Sequence, residues 1–158
     1  MKKFINQIEY VELERLEGIA KAHPEHLKKL PDFNVLVRAE KKEGKVALIS
    51  GGGSGHEPAH GGYVGKGMLD AAVAGAVFTS PTPDQVEGAI RAVATDAGVL
   101  LIIKNYSGDM MNFRNAAHLA SEDGITVDYV KVDDDIAVKD SLYTVGRRGV
   151  AGTVFVHK

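Results

Sequence analysis

The chain has 158 residues, 18 of them glycine and none cysteine, with 44% hydrophobic and 25% charged residues and a net charge of −2 from 19 basic and 21 acidic side chains. At roughly 150 residues per domain this is one globular domain. The near-balance of charge excludes a general nucleic-acid field. The lack of cysteine excludes disulfides, zinc–thiolate sites and a thiol nucleophile, and fits a reducing, cytoplasmic setting.

The opening Met1-Lys2-Lys3-Phe4-Ile5 has no apolar run of signal-peptide length behind it. No segment reaches the roughly 18 apolar residues of a membrane span. Phe4, Ile5, Ile8, Val11, Leu16, Ile19 and Ala20 recur mostly at three- and four-residue spacings. This predicts amphipathic helix up to about His23, stopped by Pro24. After a polar stretch, residues 34–38 form a short strand candidate and 40–45 a charged turn. Residues 46–50 are continuously apolar up to Ser50, as in a strand buried on both faces, and they feed directly into glycine.

A second apolar run covers 71–78, and 79–84 is a loop leading to a helix N-terminus. Helical periodicity follows over 85–95, then the strongest strand signal over 99–103. Residues 105–109 read as a turn, 110–121 as a helix ended by Gly124, 126–132 as a strand, and 152–156 as a last strand. Strands alternate with helices, and their apolar runs are continuous. The expected fold is therefore α/β, a largely parallel sheet with helices on both faces in three layers. Ligands of such sheets bind outside the carboxyl ends of the strands. Two segments there carry the chemistry: 50–58, read as a loop after a strand ending at Ile49, and 104–109.

Eight of the 18 glycines lie between Gly51 and Gly67. The run resembles several motifs and completes none. A P-loop lacks its lysine and hydroxyl, a dinucleotide fingerprint meets His56 or Pro58 where glycine belongs, and an esterase elbow ends on His56. His56-Glu57-Pro58-Ala59-His60 spells a zinc-protease signature, but that motif needs a helix. Pro58 and the surrounding glycines disfavour one, and no third ligand follows. What remains is bare backbone able to approach something small, with His56 as a titratable group beside it. A tight crossing with a packed histidine explains the run equally well.

In the second segment an N-cap role accounts for Asp109, and a snorkelling surface position accounts for Lys104. With His56 they make a base, a carboxylate and an ammonium suited to proton transfer at a hydroxyl or carbonyl. Asp133-Asp134-Asp135 reads as a solvated turn rather than a cation site, and Arg147-Arg148 as a surface pair.

Four blocks in this order resemble the dihydroxyacetone kinase K subunit family: SGGGSGHEP at 50–58, FTSPTPD at 78–84, LLIIKNYSGD at 100–109 and DDDIAVKDSLYTVGRRGV at 133–150. The resemblance implies that residues 1–158 are the N-terminal α/β domain of a cytoplasmic, homodimeric subunit that binds dihydroxyacetone. A nucleotide-binding L subunit, holding ATP or ADP with Mg, would deliver the phosphoryl group. That leaves no cofactor and no metal on this chain. A phosphotransferase-system protein would recharge the nucleotide, or ATP would be used directly; no nucleic acid or membrane partner is expected.

Gly53, Ser54, Gly55, His56, Lys104 and Asp109 would contact the triose, with His56 and Asp109 as catalytic groups. The family's second domain supplies a histidine that holds the substrate covalently. That domain is absent from this chain, which implies a portion inactive by itself. The alternative is a triose-binding co-activator of the same family; intact His56 and Asp109 favour the kinase.

Overall fold

The structure, a computed structural model, describes residues 3–137, 146–150 and 152. The strand expected over 152–156 lies, Gly152 apart, outside the described residues. The described chain folds into a six-stranded sheet with helices on both faces. In chain order its elements are α1 (Val11–Ala22), β1 (Leu27–Lys29), β2 (Val35–Arg38), β3 (Ala47–Ser54), β4 (Ala71–Val77), α2 (Pro83–Val93), β5 (Val99–Lys104), α3 (Ser107–Glu122) and β6 (Val127–Val132). The sheet order is β1-β2-β4-β3-β5-β6. The four strands from β4 to β6 are parallel, whereas β1 and β2 add an antiparallel edge.

The helix expected from Phe4 begins only at Val11, after a 3-10 turn over Ile8–Tyr10. Phe4, Ile5 and Ile8 are exposed, because no part of the sheet reaches them and spacing alone cannot hold a helix without something to bury. Where α1 does form, Leu16 seats it on the sheet beside Leu36, Leu69 and Ile102. Burying such a leucine is worth about 1.5–3 kcal/mol. Glu12 and Glu14 in the first turn and Lys21 in the last suit the helix dipole. The unforeseen β1 has one buried apolar residue, Leu27, and exists because it pairs with β2.

On the opposite face α2 and α3 cover Ile49, Val73, Leu101 and Ile103 with Val86, Ile90 and Phe113. The continuous aliphatic run of β5 therefore serves both layers, Leu101 and Ile103 on one face and Ile102 on the other. Among the described residues no helix is long and apolar enough to cross a membrane.

Candidate functional site

The sequence places the end of β3 at Ile49; the structure carries the strand on through Ser54. Glycine lowers strand propensity, but here crowding demands it. A Cβ on Gly53 would lie 2.6 Å from the Thr79 amide nitrogen, so only glycine lets the chain after β4 pass so close. β3 stays paired with β4 as far as Ser54↔Val77, while its pairing with β5 ends at Ser50↔Ile102. Beyond that point the two strand ends diverge. The chain leaving β3 packs Val64 and Leu69 on the α1 face, and the chain leaving β5 enters α3 on the other. A crevice opens at this switch point, where α/β sheets bind their ligands.

The crevice, about 280 Å³, is lined by Gly53, His56, Phe78, Ser80, Lys104, Tyr106, Asp109 and Arg148. Gly52 lies next to two of these side chains, Lys104 and Asp109. The nearest atoms to a Cβ there would be His60 Nε2 at 3.4 Å, Lys104 Cε at 3.6 Å and Asp109 Oδ2 at 3.7 Å, ordinary contact distances. Lys104 and Asp109 are only 6% and 4% exposed. The structure thus corrects both structural readings from sequence, since neither is a surface group. Asp109 is not the N-cap of α3; Tyr106 is, and Asp109 sits inside the first turn.

Electrostatics tune this group. Burial pushes the Asp109 carboxyl above its ordinary 3.8, opposed by a Ser80 hydrogen bond and by Lys104 and His56. Burial also lowers Lys104 from 10.5, with Asp109 opposing. His56 lies edge-on to the Phe78 ring, with centroids 5.5 Å apart. Partial burial of the imidazole lowers its pKa from 6.5, the Lys104 ammonium lowers it further, and Glu57 and Asp109 pull it back up. A lowered histidine is neutral at neutral pH and can accept a proton. Asp109 Oδ1 is buried with no hydrogen-bond partner among the described residues, whereas most buried polar atoms have one.

Three of the expected site residues, His56, Lys104 and Asp109, meet at the crevice, with Gly53 as part of its wall. Ser54 and Gly55 do not line it. The Ser54 hydroxyl turns toward α1, donating to the Gly75 carbonyl at 2.6 Å and accepting from Arg15 at 3.0 Å. Gly55, at φ +113°, lets the turn fold beneath the Phe78 ring. Phe78, Ser80 and Tyr106, which side-chain chemistry in the sequence did not single out, and Arg148, which it read as a surface residue, also line the crevice. Arg148 stacks over Tyr106 at 5.3 Å, opposite the reading of a plain surface pair, and Lys104 Nζ lies 5.2 Å from the same ring.

His60 is buried, with Nδ1 2.9 Å from Ser50 Oγ. The Ser50 hydroxyl spends its one proton on the Ile102 carbonyl at 2.7 Å, so His60 must donate to it through Nδ1–H. His56 and His60 are not on a helix, and among the described residues no three histidines or carboxylates gather to hold a metal. The aspartate triplet disperses: Asp133 pairs with Lys131, Asp134 accepts the Val150 and Gly152 amides, and Asp135 accepts that of Ala137.

The fold is thus an α/β domain with a small, polar crevice, walled in part by glycine backbone, at the carboxyl ends of its parallel strands. Residues 17–158 match the Dak1 domain, and the chain belongs to that family. It is 58% identical over 158 residues to the dihydroxyacetone-binding subunit of the PTS-dependent dihydroxyacetone kinase 1 of Listeria innocua, covering 100% of this chain and 48% of that protein. The dihydroxyacetone kinase structure of C. freundii superposes with a TM-score of 0.92 at 46% identity, covering 99% of this chain and 29% of that one. The dihydroxyacetone kinase operon co-activator Dha-DhaQ superposes at 0.87 with 44% identity, over 97% and 46% of the two chains. The chain therefore spans about half the length, or less, of the proteins it matches.

Proposed function

We propose that this chain is the dihydroxyacetone-binding part of a dihydroxyacetone kinase. The observation that carries the reading is the meeting of His56, buried Lys104 and buried Asp109 in one crevice over the bare backbone of Gly52 and Gly53. In this reading a terminal hydroxyl of the triose donates to Asp109 Oδ1 or to neutral His56. His56 takes the proton as the oxygen attacks phosphorus, and Lys104 steadies the developing charge. The phosphoryl group passes to that oxygen as its bond to the nucleotide breaks, giving dihydroxyacetone phosphate.

The crevice offers one carboxylate beside Lys104 and Arg148. That set suits a polyol and an incoming phosphate better than a magnesium ion, so the reading puts ATP or ADP with Mg on a partner L subunit. The relatives' greater length supports a second domain, whose histidine would hold the substrate carbonyl. This chain alone would then be inactive.

The test is phosphorylation of dihydroxyacetone by the full-length gene product mixed with its nucleotide-binding subunit. His56→Ala should cut turnover by about 10²–10⁴-fold, the worth of a positioned general base. Turnover by His56→Ala at the unsubstituted rate would overturn the assignment. Because His56 must be neutral to act, kcat/KM should rise with pH and level off with a midpoint below 6.5. The likeness to the co-activator supports a second reading, a triose-binding regulator; binding without turnover in the same assay selects it.

A further inference from the structure

Arg15 lies outside the region matched to the family, yet it grips the turn that carries His56. Its guanidinium pairs with Glu57 Oε1 at 2.9 Å and donates to Ser54 Oγ at 3.0 Å. The other Glu57 oxygen accepts the Gly55 N–H at 3.0 Å. His56 is thus bracketed by residues tied to one planar fork, a geometry lysine cannot copy. One turn earlier on α1, Glu12 accepts the Val77 N–H at 3.0 Å, and the Phe78 N–H donates to the Ser54 carbonyl at 2.8 Å. The ring that His56 meets is therefore tied to the same helix.

We infer that Arg15 is a positioning residue for His56, fixing the 54–57 turn through Glu57 and Ser54 so that the imidazole stands over Lys104 and Asp109. The inference rests on the reading of His56 as the base. Arg15 also acts through charge. The groups facing His56 are Glu57 on its own turn, Lys104 from β5, Asp109 from α3 and Arg148 across the crevice. Arg15 neutralises Glu57; without it, the Glu57 carboxylate stands beside the imidazole uncompensated and favours its protonated form.

The experiment follows the His56 ring by NMR titration in the 158-residue chain, unsubstituted and as Arg15→Gln, Arg15→Lys and Glu57→Gln. It also measures turnover by the full-length product with the same changes. Arg15→Gln should raise the His56 pKa and lower kcat by about 10- to 100-fold, with a smaller change in KM, as misplacement of a reacting group does. Arg15→Lys should restore the titration and only part of kcat. Glu57→Gln should lower the His56 pKa and also lower kcat, and it carries the test if Arg15→Gln does not fold. A merely structural arginine would reduce thermal stability and leave the titration alone. An unshifted titration with kcat within about twofold of the parent overturns the inference. His56→Ala in the same assay separates the two readings. If it is inactive while Arg15→Gln is unaffected, only the positioning role fails; if it is fully active, the base assignment fails.

Discussion

Residues 47–50 of β3 pair with β5, while residues 51–54 keep only β4 as a neighbour. The first stretch spends its side chains on the core: Ala47 and Ile49 are buried under α2 and α3. The second has glycine at three of its four positions, each for a separate reason. Gly51 is pressed on by the Val73 carbonyl and Phe113, Gly53 by the backbone of 78–79, and Gly52 lies at ordinary contact distance from the His60, Lys104 and Asp109 side chains. One strand passes from filling the core to bordering the crevice as it loses a neighbour and most of its side chains together.

The contrast can be broken from either end. Ile49→Ala should have the largest effect, about 2–5 kcal/mol of stability lost in chemical denaturation, because Ile49 is fully buried beneath both helices. Gly51→Ala adds only a methyl, but that methyl would sit 2.4 Å from the Val73 carbonyl oxygen. It should cost about 1–3 kcal/mol in the same measurement, as overpacking does. Gly52→Ala separates the roles. Its methyl meets side chains at 3.4–3.7 Å, so the melting temperature should barely move, while affinity for dihydroxyacetone, read by calorimetry on the full-length product, falls about tenfold (~1.4 kcal/mol).

Asp109→Asn should act on the fold in the opposite direction. The Asp109 carboxyl is raised by burial. Ionised Asp109 therefore costs the folded state stability as pH rises from 3.8 through the raised value. The asparagine variant should melt higher at neutral pH, with the gain fading as pH falls through the raised value and gone by 3.8, and should lose activity. Equal melting at neutral pH would mean that the carboxylate is better compensated than its surroundings indicate.

The alternation of elements and the buried β5 were legible because periodicity reports burial directly. The start of α1 was not, since Phe4, Ile5 and Ile8 match helical spacing but have nothing to cover. The glycine half of β3 was hidden for a related reason. Glycine in sequence signals a loop, and only the approach of Thr79 and Val73 from elsewhere in the chain makes it a strand. His56, Lys104 and Asp109 were legible as ionisable groups at strand ends. The crevice positions of Tyr106, Phe78 and Arg148 were not, because an aromatic or arginine reaches a crevice only through the loop that brings it there.

The most direct test of the central claim is titration of dihydroxyacetone into the isotopically labelled 158-residue chain, followed by backbone amide shifts. The account predicts saturable shifts at Gly52, Gly53, His56, Lys104 and Asp109 that disappear in Asp109→Asn. Shifts confined to another surface, such as the groove beside Ile19 and Val64, or no shifts at all, would contradict it.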